Sequence, residues 1–376
     1  MKKIVHITPT LYEGGAERLV SDLLSELSLN YSNKYVIYLM LFYDLDDSMF
    51  LSKSLHNDIK IITLGKKRGF DFKLIFKLFK VLYKLKPNIV NTHVGSFNYV
   101  FLLSFLLKKC NFFHTLHNDA YIECPNKYIR FVRKWIYKFK LVHPITISKN
   151  SSLSYKKVYG LDNDTLIYNG RKKIIKSKVF EKVNAEFSKF RINEKTKIYI
   201  NVASIGYLKN QIKLVKAFKE VLKENNNIVL LLIGGVREGN EKTLEEIKKN
   251  VSDNIYYLGV KPNVEDYLLL SDFFILPSIQ EGMPISIIEA MSAGCIPLCS
   301  PVGGIPNMIE HHKNGLLSKG YEIEDIYDLI KKSLSLKETK INEIVKQAME
   351  TYRENYSIEI CAKKYIRIYQ TYTQGI

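Results

Sequence analysis

Short, almost wholly apolar runs alternate with helical stretches along this chain, and the alternation starts twice. The first series reads as strands at Lys3–Thr8 (KIVHIT), Tyr35–Phe42, Ile59–Thr63, Asn88–Asn91, Asn111–Leu116 and His143–Ile147. Helices are expected between them over Ala16–Leu29, Asp71–Leu85, Phe97–Lys108 and Lys127–Lys140. The second series places strands at Lys197–Ala203, Ile228–Ile233 (IVLLLI), Ile255–Leu258, Phe273–Leu276 and Ile296–Cys299. Its helices fall at Gln211–Glu224, Glu241–Val251, Asn263–Leu270 and Ile285–Ala293, with three more at Tyr321–Leu334, Lys340–Tyr352 and Ile358–Tyr372. Strands that are apolar on both faces and joined through helices pair in parallel, covered on each side.

A length of 376 residues suits two such domains better than one. The expected fold class is therefore α/β, with two doubly wound, Rossmann-like domains facing across a cleft. Residues 1–170 form the first and 171–355 the second, and a helix in 356–376 returns to the first. The polar, basic segment Asn169–Asn193 is the expected linker. Ligands of such sheets bind outside the carboxyl ends of the strands.

Several classes of protein are disfavoured. No segment reads as a signal peptide, and the most apolar stretch, Tyr99–Leu107, is far shorter than the ~18 residues of a spanning helix. The five cysteines are scattered without metal-type spacing, so Cys295 and Cys299 read as buried thiols of a cytoplasmic protein. Charge is uneven: residues 1–170 hold 25 Lys/Arg against 13 Asp/Glu, the rest 31 against 25. A basic first half points to an anionic partner. Nucleic acid is not expected, because no helix-turn-helix, zinc or RNA-binding motif is present.

The segment Pro277–Gly294 (PSIQEGMPISIIEAMSAG) carries the strongest chemical signal. A strand ends at Leu276, a loop follows, and a helix is expected to open at Pro284 and close at Gly294. Glu281 lies in the loop and Glu289 in the helix, with seven residues between them. An ionised carboxylate accepts hydrogen bonds from neighbouring hydroxyls, and a helix N-terminus favours an anion. Taken alone, the pair could equally be two surface glutamates.

This stretch is similar to the signature of glycosyltransferase family 4, the retaining GT-B enzymes of the kind that build bacterial surface polysaccharides. The likeness continues through Val302-Gly303-Gly304-Ile305-Pro306 and Asn314-Gly315-Leu316-Leu317, about sixty residues in all, with Asp272 ahead of the strand. It implies that Glu281 contacts donor-sugar hydroxyls. The backbone of Gly282, Met283, Pro284 and Ile285 would line the sugar and phosphates, and Glu289 would hold the ribose. It also implies that Gly15, in Gly14-Gly15-Ala16-Glu17-Arg18, faces the donor phosphates, with Gly14 and Arg18 as lesser candidates. A glycine pair opening a helix admits close backbone approach, though many plain turns hold one too.

In Ser204-Ile205-Gly206-Tyr207-Leu208-Lys209-Asn210 the family's diphosphate-neutralising lysine is matched by Lys209, while Ser204 stands where an arginine is usual. Arg171 and Arg18 are the cations that could compensate. Among the histidines, His117 lies in the loop that the family brings to the donor sugar, and His93 is a lesser candidate at another strand end. His114 and His6 are strand-interior and read as core residues. His311-His312 have no third ligand nearby, and Asp44-Leu45-Asp46 and Asp162-Asn163-Asp164 read as solvated turns, so neither metal nor cofactor is expected.

Two segments are both basic and aromatic. Lys66–Lys86 holds eight Lys/Arg and one acidic residue, with Lys73, Lys77, Lys80 and Lys84 forming a helical stripe. Lys127–Lys140 holds six basic residues along with Phe131, Trp135, Ile136 and Phe139. That mixture fits either an interfacial helix or a packed helix with a solvated basic face. The resemblance thus leads to transfer of a sugar from a nucleotide-sugar donor, UDP by default, to a glycan or lipid-linked acceptor. The protein would work in the cytoplasm, or peripherally on the inner membrane face. A non-catalytic partner of a glycan-assembly complex and a sugar-nucleotide epimerase are the alternatives.

Overall fold

The computed structural model describes every residue except Glu13, Asp47, Ser48, Arg68, Arg237 and 374–376, and omits the side chains of Phe50 and Lys53. The chain divides into two compact units, Met1–Lys172 with Asn355–Ile376, and Lys173–Glu354.

Among the described residues the first unit holds seven strands: β1 (Lys2–Thr8), β2 (Tyr35–Leu41), β3 (Lys60–Thr63), β4 (Ile89–His93), β5 (Asn111–Leu116), β6 (His143–Thr146) and β7 (Thr165–Leu166). All pair in parallel, in the order β3-β2-β1-β4-β5-β6-β7. The order reverses between β1 and β4, which opens a crevice at their carboxyl ends. β1 is buried from Ile4 to Thr8, as a central strand covered on both faces must be.

The second unit repeats the plan with β8 (Lys197–Val202), β9 (Ile228–Ile233), β10 (Ile255–Gly259), β11 (Phe273–Leu276), β12 (Ile296–Cys299) and β13 (Leu316–Leu317). Their order is β10-β9-β8-β11-β12-β13, again parallel, with the switch between β8 and β11. The α/β class read from the apolar strands is the one observed.

Three local expectations need correction. Residues 97–108 do not form one helix but two short turns, Phe97–Val100 and Leu103–Leu106. Their apolar side chains split between core and solvent, Val100 and Leu103 buried but Leu106 exposed, so no single face holds one long helix in place. The expected linker contains a helix, Phe180–Phe187, whose Phe180, Val183 and Phe187 are buried. Its apolar stripe is only three residues long and is masked in sequence by the lysines around it. Pro284 precedes the helix Ile285–Ala293 as its cap, with ψ 119, instead of opening it.

The last helix, Ile358–Thr373, packs on the helix Gly15–Tyr31 of the first unit. Arg171 marks the crossing: its N–H donates to the Tyr356 carbonyl at 2.9 Å, and its carbonyl accepts from the Ile358 N–H at 3.0 Å. The Arg171 guanidinium, 7% exposed, forms an ion pair with buried Asp22, whose other oxygen lies 3.8 Å from Lys172 Nζ. Among the described residues no helix is long and apolar enough to cross a membrane.

Candidate active site

In the second unit three loops leave the carboxyl ends of adjacent strands. The loop after β8 carries Ser204 to Asn210, the loop after β11 carries Pro277 to Pro284, and the loop after β12 carries Gly303 and Gly304. Lys209 Nζ donates to Glu281 Oε1 at 2.6 Å, and Ser278 Oγ donates to the same oxygen at 2.7 Å. The Glu281 side chain is 7% exposed and that of Lys209 20%, so the pair is mostly shielded but not sealed.

Hydrogen bonds from side chains and backbone to loop carbonyls clamp these loops together. Asn210 occupies the left-handed region at φ 61 and donates through Nδ2 to the carbonyls of Pro277 and Tyr321, at 3.0 and 2.8 Å. Asparagine tolerates that conformation better than most side chains. The Ile279 N–H reaches the Leu208 carbonyl at 2.9 Å. Ser300 Oγ donates to the Ser278 carbonyl at 2.5 Å, and Gln211 Nε2 to that of Ser204 at 3.1 Å. Gly303, at φ +56, lies so close to the Glu281 backbone that an added Cβ would come within 1.7 Å of its carbonyl oxygen. At Gly304 a Cβ would meet the Gly282 carbonyl oxygen at 2.0 Å. Glycine is required there because only its bare backbone lets the two loops touch.

Behind Glu281 the helix Ile285–Ala293 starts without a side-chain cap and ends at Gly294, φ +75. An uncapped N-terminus keeps orphan N–H groups and a partial positive charge. Met283, Pro284 and Ile285 are buried beneath it, Gly282 is half-buried, and Glu289 is 4% exposed within the helix.

In the first unit, Gly14 caps the helix Gly15–Tyr31 in extended geometry, and Gly15 is exposed at its start. Arg18 is half-buried on the first turn, its N–H held by the Gly14 carbonyl at 2.9 Å. Arg171, the other cation considered for the missing arginine, is paired with Asp22.

His93 ends β4 and His117 follows β5, the neighbouring strand. His93 Nδ1 and His117 Nε2 are 2.9 Å apart, and His93 Nε2 lies 2.8 Å from His6 Nδ1. Burial pushes His117 down to about 4 and His6 down to about 3. His93 is held far below the ordinary imidazole value by burial and by its histidine neighbours. The next residue, Val94, sits at φ 52, a strained conformation for a β-branched side chain. Ser96 supports this turn: its Oγ accepts from the His93 N–H at 3.1 Å and lies 2.9 Å from the Ile7 carbonyl.

His114 is a core residue as read, fully buried, but only one of its ring nitrogens is satisfied. Its Nδ1 meets Thr92 Oγ1 at 2.9 Å, but Nε2 has no hydrogen-bond partner among the described residues and lies 3.8 Å from Glu123. Sequence reasoning also assigned no role to Ser278 and Asn210, and took His6 as a core residue only. Ser278 and Asn210 sit inside the motifs, and their side chains serve the loops; only His6, a histidine in a central strand, carried a signal of its own. Among the described residues no group of three or more His, Cys, Asp or Glu could hold a metal ion.

Residues 182–351 match the model of the family Glycosyl transferases group 1. That part of the chain belongs to the group 1 glycosyltransferases. The chain is 25% identical over 324 residues to an Escherichia coli UDP-Gal:alpha-D-GlcNAc-diphosphoundecaprenol alpha-1,3-galactosyltransferase, covering 80% of this chain and 78% of that one. It is 26% identical to the Staphylococcus aureus capsular polysaccharide biosynthesis glycosyltransferase CapH, covering 80% and 82%. The crystal structure of Anabaena HepE, in complex with UDP and glucose, superposes with a TM-score of 0.81 at 16% identity, over 99% of this chain and all of that one. The fold of this glycosyltransferase is GT-B.

Proposed function

We propose that this glycosyltransferase moves a hexosyl group from a nucleoside diphosphate sugar, UDP-linked by default, to a hydroxyl of a glycan or lipid-linked acceptor, with retention of anomeric configuration. The observation that carries the reading is the Lys209–Glu281–Ser278 cluster, set at the switch point of the second sheet beside an uncapped helix N-terminus. A cation and a helix dipole suit a diphosphate, and a carboxylate suits sugar hydroxyls. The relatives, named for galactosyl transfer from a UDP sugar and for capsule biosynthesis, point toward surface polysaccharide assembly.

In this reading Glu281 orients the donor sugar, Glu289 the ribose, and the backbone from Gly282 to Ile285 the sugar and phosphates. Lys209 leaves its ion pair in part to neutralise the diphosphate, and Ser204 lines the same loop without charge. The first unit contributes Gly15 and His117 to the substrate. The bond between the anomeric carbon and the β-phosphate oxygen breaks, and the acceptor oxygen bonds to that carbon on the same face. The acceptor proton passes to the departing diphosphate, so the chemistry calls for neither a protein base nor a metal. Stabilising the charge on the leaving group is the main catalytic effect. Thermal denaturation with UDP-, GDP- and ADP-sugars tests this. At one hundred times its dissociation constant, the true donor adds about 2.7 kcal/mol, or roughly 5–10 °C for a domain of this size. No shift with any of them would refute the reading.

The acceptor side rests on the two basic helices. The helix Phe72–Leu85 buries Leu74, Leu78 and Leu82 and leaves Phe72, Phe76 and Tyr83 more than 60% exposed. In Lys127–Lys138, Tyr128 and Phe131 are exposed, as is Phe139 just beyond it, while Ile136 and Arg133 are buried. Arg133 thus leaves the expected basic face; it donates to Asn98 Oδ1 at 2.8 Å and stacks over Phe97. Arg68 lies outside the described residues. Aromatic side chains held in water beside lysines match an anionic lipid surface, where each basic residue contributes about 1 kcal/mol. Co-sedimentation should occur with phosphatidylglycerol-containing vesicles, weaken with salt, and be absent with pure phosphatidylcholine. Equal absence from both refutes peripheral binding.

A further inference from the structure

The His117–His93–His6 run of imidazoles does not end at His6. His6 Nε2 lies 3.1 Å from the Tyr369 hydroxyl, which accepts from Asn91 Nδ2 at 2.9 Å. Asn91 Oδ1 accepts from Thr115 Oγ1 at 3.2 Å, and that oxygen lies 3.2 Å from the Tyr365 hydroxyl. Every member is fully buried except His117, which is 8% exposed at the outer end. We propose that Tyr369, His6 and His93 are positioning residues, forming a one-way hydrogen-bond chain that holds His117 as a neutral imidazole offering its Nδ1–H to an acceptor atom on the substrate.

The direction follows from counting protons. With Asn91 oriented as above, Tyr365 donates to Thr115, Thr115 to Asn91, Asn91 to Tyr369, and Tyr369 to His6 Nε2. His6 then carries its proton on Nδ1 and donates to His93 Nε2. His93 does the same to His117 Nε2, so the remaining proton of His117 sits on Nδ1. Turning the Asn91 amide over reverses the chain, but then the Tyr365 hydroxyl proton has no acceptor among the described residues. Keeping the amide and reversing only the histidines strands the Tyr369 proton in the same way. An unmade hydrogen bond at full burial is costly, and the satisfied direction wins. Burial also keeps all three rings uncharged near neutral pH.

Because Tyr365 and Tyr369 are both fully buried, the inner end of the chain has no outlet to water. The chain therefore fixes a tautomer and does not conduct protons away. A neutral N–H donor suits a sugar hydroxyl or phosphate oxygen, and an Nδ1 lone pair would not. The inference rests on reading His117 as a substrate contact, but its test does not.

The full chain, labelled with ring-15N histidine, is observed by long-range proton–nitrogen correlation at pH 7, with assignments from single histidine variants. His6, His93 and His117 are each expected as the Nδ1–H tautomer, at least tenfold over the other. A proton on His117 Nε2, or on both nitrogens, overturns the proposal. Tyr369→Phe removes the hydroxyl that donates to His6, and His117 should then become a mixture of tautomers while His311 and His312 in the second unit are unchanged. An unaltered His117 in that variant also overturns it. If the variant does not fold, the wild-type spectrum still decides. A protein with the stated tautomer that binds none of the nucleotide sugars refutes the proposed function and leaves the chain standing.

Discussion

Glu281→Ala is expected to lower kcat/KM by about 10²–10³-fold, the usual effect of removing one preorganised polar contact from a transition state. The Glu281 carboxylate receives both Lys209 and Ser278 on a single oxygen, so its loss removes the group that orients the sugar and also frees the lysine to swing. Lys209→Ala should cost a similar factor through the leaving diphosphate. Because the two side chains touch, the double variant should lose less than the product of the single losses. Glu281→Gln keeps an acceptor oxygen but not the charge, and should fall between wild type and alanine. Rates are measured with the nucleotide sugar that stabilises the protein, and far-UV circular dichroism confirms that the fold is retained. Wild-type rates in both alanine variants would mean that this cluster does not hold the donor.

Asp22→Ala is expected to destabilise the first unit by up to about 3–5 kcal/mol, because it removes a buried carboxylate paired with the Arg171 guanidinium. A surface ion pair would cost under about 1 kcal/mol, so the size of the loss reads out burial directly. Arg171 sits where the chain leaves the first unit, bonded through its backbone to Tyr356 and Ile358 where the chain returns. Lys172 Nζ, 3.8 Å from the same carboxylate, belongs to a side chain 42% exposed, which stays hydrated in the variant. Urea unfolding should therefore show a lower midpoint for the transition that exposes the first unit, with the second unit little changed. A loss below about 1 kcal/mol would mean that the Arg171–Asp22 pair contributes no more than an exposed one.

Much of the fold was legible because its strands are short apolar runs, as in IVLLLI of β9, set between longer amphipathic helical stretches. Local irregularities were less legible. The break between Val100 and Leu103 reflects which leucines and aromatics find a core. The short helix Phe180–Phe187 depends on packing that three apolar residues do not announce.

The signature around Glu281 was readable because its loop, helix start and cap are contiguous, and each step has a local reason: proline before the helix, glycine after it. The ion pair that closes on Glu281 was not readable, since Lys209 reaches it across 72 residues. Nor was the commitment of Arg171 to Asp22, 149 residues away. The exposed aromatics of the basic helices could be guessed from composition, but only packing shows that Leu74, Leu78 and Leu82 face inward while Phe72 and Phe76 do not.

Residue order alone determined the class of fold, the two series of strands and the motif that names the family, because periodicity, turns and caps act over a few neighbours. The tertiary structure decided which distant side chains meet: Lys209 with Glu281, Arg171 with Asp22, and His117 with His93, His6 and Tyr369. Those meetings depend on strand order at two switch points and on a C-terminal helix packed back onto the first unit. Long-range contacts of that kind have no period in the sequence, so only the folded chain reveals them.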